Sequence, residues 1–151
     1  LRPAVLTQMG LGELLRQLAE ATTGRARVPV SVVVEGQRSE RVALPPEVQV
    51  ALYRITQEAL NNVAKHAVGA GASGAHVTLR WREEGVELEV VDDGNGFDAA
   101  AVGAGRLGLV GMRERAAAVG ANLHVESGEG RGTRVAVRWE AAGAGLLTSS
   151  R

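Results

Sequence analysis

The chain has 151 residues, 45% of them hydrophobic, and its 17 lysines and arginines are balanced by 17 aspartates and glutamates for a formal net charge of zero. That length and apolar content suit a single domain with a real core, and the interspersed, balanced charge offers no basic face to nucleic acid. With no cysteine there is no disulfide or thiolate metal site, and His66, His76 and His124 are too scattered for a zinc spacing, so any metal would be a hard, oxygen-bound cation.

No stretch approaches the ~20 consecutive apolar residues of a membrane span. The N-terminus carries neither a basic segment nor an apolar signal core. A cytoplasmic location without membrane contact is therefore expected. The chain opens on Leu1-Arg-Pro rather than methionine, so it is expected to be a piece of a longer protein.

In chain order, Leu11, Leu14, Leu15 and Leu18 share one helical face, predicting a short amphipathic helix from Leu11 to Ala21 that ends at Thr22-Thr23-Gly24. Val28 to Val34 is rich in β-branched residues and predicts a strand, with Pro29 hinting at a sheet edge. Leu44-Pro45-Pro46-Glu47 is a helix entry, because proline is tolerated in the first turn and a carboxylate suits the positive end of the dipole. That helix is predicted over Pro46 to Ala67 and is followed by the loop Gly69 to Gly74. Two alternating runs, Ala75 to Arg82 and Val86 to Val91, predict a β-hairpin.

The run Val86 to Phe97 ends in Asp92-Asp93-Gly94-Asn95-Gly96-Phe97. It can be read as a type I′ turn that simply reverses the chain, or as a site. In the second reading a strand-end carboxylate accepts from an exocyclic amine, and glycines let the backbone approach a flat ligand.

Asp98 to Gly105 is too poor in large apolar side chains to pack firmly and is expected to be mobile. A helix over Leu107 to Val119 opens on glycines. Strands Asn122 to Ser127 and Thr133 to Trp139 flank the turn Gly128 to Gly132, and Ala141 to Arg151 is expected to be a disordered tail. This order of elements predicts an α+β two-layer α/β sandwich, with a mixed, largely antiparallel sheet and helices on one face.

On the long helix Val48, Leu52, Ile55, Ala59 and Val63 follow the 3.6-residue period as a buried stripe, and Glu58, Asn62 and Lys65 fall along one shoulder of it. A carboxylate, an amide and an ammonium side by side suit a Mg²⁺-phosphate group, since the amide oxygen ligates a hard cation and the lysine meets phosphate oxygens. The alternative is a solvated helix face. Downstream, Gly105 to Gly111 places glycines at a helix mouth, where unsatisfied N–H groups and the dipole favour phosphate.

Together, in this order, these pieces resemble the GHKL (Bergerat-fold) ATP-binding catalytic domain of two-component sensor histidine kinases. The segment QEALNNVAKHA is similar to the N box, Val-Asp-Asp-Gly-Asn-Gly-Phe to the first glycine box, Gly105 to Gly111 to the second, and Gly132-Thr133 to the last. GLVGMRER, after a short lid, resembles the NarL/DesK-type subfamily.

The resemblance implies that Asp92 accepts the adenine amino group of ATP and that Gly94 and Gly96 shape that pocket. Asn62 would ligate Mg²⁺, with Asn61 as a substitute, and Glu58 would polarise the nucleophile. Lys65 and His66 would lie near the phosphates, His66 alternatively serving only to cap the helix. Gly108, Leu109 and Gly111 would face the phosphates, and Thr133 would reach the same region. Arg113 and Arg115 are read as solvated, Asp93 as a surface neighbour, His76 and His124 as structural, and Trp81 and Trp139 as packing residues.

The same resemblance implies γ-phosphoryl transfer to a histidine on a dimerisation hairpin, for relay to a response regulator with a LuxR-type output. No such hairpin precedes the boxes. Residues 1–24 are therefore read as a connector, 25–140 as the catalytic domain and 141–151 as the tail, a fragment inactive in autophosphorylation by itself. An anti-sigma-factor serine kinase, a conformational ATPase and a non-catalytic nucleotide-sensing module remain as alternatives.

Overall fold

In a computed structural model of the chain, the structure describes residues 10–26, 28–37, 44–67, 74–94, 108–128 and 130–141, without the side chains of Ala26, His66 and Ala67. The expected lid Asp98 to Gly105, Gly96, the loop 69–73, residues 1–9 and the tail 142–151 lie outside the described residues.

Helix α1 spans Leu11–Ala26 and β1 spans Val30–Glu35. Helix α2 spans Pro46–Asn62 and runs on into a π turn over Val63–Ala67, followed by β2 (Ala75–Trp81) and β3 (Gly85–Asp92). Helix α3 (Leu109–Ala118), β4 (Asn122–Gly128) and β5 (Gly132–Glu140) complete the order. Among the described residues no helix is long and apolar enough to cross a membrane.

The five strands form one sheet in the order β1-β2-β3-β5-β4. Only β1 pairs in parallel, with β2; the other three pairings are antiparallel. Pro29 precedes an edge strand, as its missing N–H requires, and its carbonyl accepts from Ala75 at 2.9 Å. The expected two-layer architecture is the one observed.

Period-two alternation gives the sheet two unlike faces. On one, Val32, Val77, Val90, Val135 and Val125 stand opposite one another across all five strands. This face packs on Leu52, Ile55 and Val63 of the α2 segment and on Leu109 and Met112 of α3 in a single core. Every residue of the predicted stripe on α2 is buried, from Ala59 at 4% exposure to Leu52 and Ile55 at 0%.

The other face carries charge. Glu87 meets Arg80 at 3.3 Å and Arg82 at 3.0 Å, and Arg134 bonds Glu89 at 2.7 Å. The two histidines read as structural share this exposed face: His76 bonds Ser31, and His124 lies 2.8 Å from Glu126. Trp139 is buried and Trp81 packs against the core edge.

Helix α1 continues past the predicted stop at Thr22-Thr23-Gly24. Both threonine hydroxyls donate to carbonyls four residues back, Leu18 and Ala19, each at 2.9 Å, so neither competes for a turn conformation. Thr23 also accepts from the N–H of Val30 at 3.0 Å and so ties the helix to the edge strand.

Candidate nucleotide site

Helix α2 begins as the proline pair requires. Pro45 is the N-cap with no side-chain hydrogen bond, Pro46 opens the first turn, and the carbonyl of Pro45 accepts from Val48 and Gln49. The helix delivers Glu58 and Asn62, both half-buried, and then changes pitch at Val63. A π turn takes up an extra residue, so Lys65 follows Asn62 at a different rotation from the three-residue α spacing, and it is exposed. The backbone of His66 lies in the same turn; its side chain is outside the described residues.

Asn61 and Asn62 part company. The amide oxygen of Asn61 accepts from Arg25 of α1 at 3.0 Å, on the side of α2 that packs against α1. Asn62 is hydrogen-bonded or otherwise engaged as well.

At the other end of the site, the hairpin reading of Asp92 to Gly96 is not what the structure shows. β3 pairs with β2 and β5, and the next described element is a helix rather than an adjoining strand. Asp92 instead closes an Asx turn, with Oδ1 accepting from the N–H of Gly94 at 2.9 Å. Asp93 is exposed and accepts from Gly74 at 3.1 Å, which secures the entry to β2 beside the exit from β3.

Burial raises the pKa of the Asp92 carboxyl. The Gly94 N–H opposes that shift, the neighbouring Asp93 charge adds to it, and the Thr133 N–H opposes it; the net direction is upward. A half-buried carboxylate oriented by the Gly94 N–H suits an exocyclic amine, since its other lone pairs can still accept.

Register places Thr133 directly across from Asp92, and Ser127 across from Thr133, on the helix-facing side one step beyond the Val90–Val135–Val125 rung. Thr133 therefore stands beside Asp92 at the end of the sheet. Ser127 was not singled out from sequence, though its place two residues beyond Val125 in an alternating strand was a usable signal.

Gly108 is the N-cap of α3, with φ +68°. A Cβ there would overlap the carboxylate of Glu58, so α2 and α3 meet at this pair. The side chain of Leu109 is buried in the core. Gly111 is exposed, and nothing lies within 4 Å of where its Cβ would be. Arg113 and Arg115 are exposed, in keeping with solvated helix residues. The structure thus brings Glu58 to Gly108 and Asp92 to Thr133, and joins the two pairs through the common core.

The model of the histidine kinase-, DNA gyrase B-, and HSP90-like ATPase family matches residues 47–143. The chain belongs to that family. It is 36% identical over 138 residues to the sensor histidine kinase LiaS of Bacillus subtilis, covering 91% of this chain and 36% of that protein. It is also 33% identical over 145 residues to an uncharacterised sensor-like histidine kinase of Chloroflexus aurantiacus, covering 91% of this chain and 23% of the relative. Identity to the sensor protein VraS of Staphylococcus aureus (strain COL) is 34% over 138 residues, 91% of this chain and 38% of the relative. The chain thus spans well under half the length of these relatives.

Among solved structures, the histidine kinase domain of the blue-light activated histidine kinase of Erythrobacter litoralis EL346 superposes with a TM-score of 0.67 at 27% identity. That match covers 91% of this chain and 64% of that one.

Proposed function

We propose that the chain is the ATP-binding catalytic domain of a sensor histidine kinase, with its working unit at residues 25–140 and residues 1–24 as the connector from a dimerisation hairpin. The observation that carries this reading is the Asp92 carboxylate, half-buried and held by the Gly94 N–H at the strand ends, with Thr133 opposite it in register. Asp92 binds the adenine amino group, and Gly94 and Gly96 leave room for the ring.

Asn62 holds Mg²⁺, whose charge neutralises the phosphates. Among the described residues no three or more His, Cys, Asp or Glu side chains gather to hold a metal, so the ion's other ligands come from phosphate and water. Lys65 and the backbone around Gly108 and Gly111 hold the phosphates, with His66 beside Lys65. Glu58 orients the attacking imidazole of a histidine on the hairpin. Catalysis rests on positioning and charge rather than on covalent chemistry by the protein.

The product is relayed to an aspartate of a response regulator. The GLVGMRER segment supports a NarL/DesK-type kinase whose regulator carries a LuxR-type output, acting in the cytoplasm.

Calorimetric titration with ADP and a nonhydrolysable ATP analogue, with and without Mg²⁺, tests the reading beside Asp92→Ala. Binding by the wild-type chain that is lost in the variant supports it. No binding by a folded wild-type chain would overturn it.

A further inference from the structure

The two edges of the sheet are unlike. At β1 the N–H of Val30 is taken by Thr23, Pro29 stands at the entry, and α1 packs along the strand. At the other edge, β4 pairs with β5 and with no other strand among the described residues. Its register runs unbroken from Asn122 to Gly128, without a proline, a lysine or a bulge. Every second residue of an antiparallel ladder turns its N–H and C=O away from the neighbouring strand. Over its seven residues β4 therefore turns a row of backbone donors and acceptors outward, which is the template for adding a strand.

We infer that β4 is a self-pairing edge: a second copy of this chain lays its own β4 antiparallel against it, across a two-fold axis at Val125, and the two sheets become one. Val125 is the middle residue of the strand, so the overlap there is complete. Asn122 meets Gly128 of the copy, Leu123 meets Ser127, and His124 meets Glu126, each pair occurring twice. His124 and Glu126 are exposed on the charged face and already lie 2.8 Å apart within one strand. Across the axis the same two groups stand opposite each other, with about 5 Å between Cβ atoms. An imidazole can donate to a carboxylate whether or not it is charged.

Other registers are worse. An axis at Glu126 sets two carboxylates against each other, and an axis at His124 pairs the imidazoles and leaves Glu126 opposite Asn122. On the opposite face Leu123 and Val125 are only partly buried, and a strand beside them covers more of their apolar surface. The inference is independent of the nucleotide site.

Sedimentation equilibrium of the whole chain at concentrations up to about 1 mM tests it, a range suited to a small strand-edge interface. The wild-type chain is expected to dimerise reversibly. His124→Glu sets like charges opposite each other twice, and Glu126→Lys sets an ammonium opposite His124 twice; each should weaken the dimer about tenfold. An equal mixture of the two variants should recover it, because the new carboxylate at position 124 then meets the new lysine at position 126 while His124 still meets Glu126. Both positions are exposed, and circular dichroism and melting check that each variant is folded.

Cysteine capture gives a second reading, since the chain has no cysteine of its own. His124→Cys mixed with Glu126→Cys should form disulfide dimers faster than either variant alone, because the opposed positions lie within bridging distance. A wild-type chain that stays monomeric to the highest concentration overturns the inference. A dimer indifferent to both charge variants, or cross-linking no faster in the mixture than in either variant alone, overturns it as well.

Discussion

The carboxylate of Glu58 fills the space where a side chain on Gly108 would begin, so the N-cap of α3 and the middle of the site helix are fitted to each other. Gly108→Ala must both adopt a left-handed backbone and displace Glu58. It is expected to cost about 1–2 kcal/mol from the backbone alone. Gly111→Ala meets open space inside a helix and should be neutral or stabilising, by up to about 1 kcal/mol. Urea unfolding of the two variants checks the contrast. Reduced analogue binding by a stable Gly111→Ala would be the sign of a phosphate contact there.

Asp92 should set stability against binding. Since burial lifts its pKa, the folded chain keeps the proton to higher pH than the unfolded chain, and stability falls as pH climbs from the unfolded value through the folded one. Asp92→Asn retains an oxygen for the Gly94 N–H and removes the buried charge. The variant is expected to melt higher than the wild-type chain at neutral pH, with the gap closing below the carboxylate range, and to lose adenine nucleotide. A lower melting temperature at neutral pH would contradict desolvation as the dominant effect.

The adjacent asparagines should separate cleanly in titrations. Asn62→Ala is expected to keep metal-free nucleotide binding while losing its Mg²⁺ dependence. Asn61→Ala should leave the Mg²⁺ response unchanged and cost about 1 kcal/mol of stability through the lost Arg25 bond. Swapped phenotypes would assign the metal to Asn61.

On the open sheet face Glu87 gathers three arginines, with Arg138 at 3.6 Å besides Arg80 and Arg82. Burial pushes its pKa up, but the hydrogen bonds from Arg82 and Arg80 and the nearby arginine charges more than offset this, so the net shift is downward. The cluster's contribution is therefore present above the unfolded pKa and lost as pH falls through the folded one. Glu87→Gln should destabilise by about 1 kcal/mol at neutral pH and low salt, less in high salt and least in acid. Melting curves over pH and ionic strength decide it.

Much of this architecture was legible because patterning and burial agree. The α2 stripe and the alternation through Val77, Leu79, Leu88 and Val90 leave one face for the helices. The helix stop at Thr22 failed because a threonine hydroxyl that bonds back to the preceding turn looks, in sequence, like one that ends it. The π turn at Val63 was invisible, since nothing in Val-Ala-Lys-His-Ala differs from an ordinary helical turn. Leu109 sat in a glycine box yet its side chain faces the core, and the place of Thr133 opposite Asp92 was hidden because it is set by cross-strand register, which depends on both hairpins.

That register also bears on the order in which the domain assembles. β2–β3 and β4–β5 are each hairpins of sequence neighbours, and such local pairings can form early. Asp92 and Thr133 come together only when the two hairpins dock along β3 and β5, so these two residues straddle the seam closed by the long-range step. A ligand gripping both residues acts as a clasp on that seam: it stabilises the docked state by mass action and leaves the separate hairpins untouched. Its grip should be felt mainly in how slowly the seam reopens.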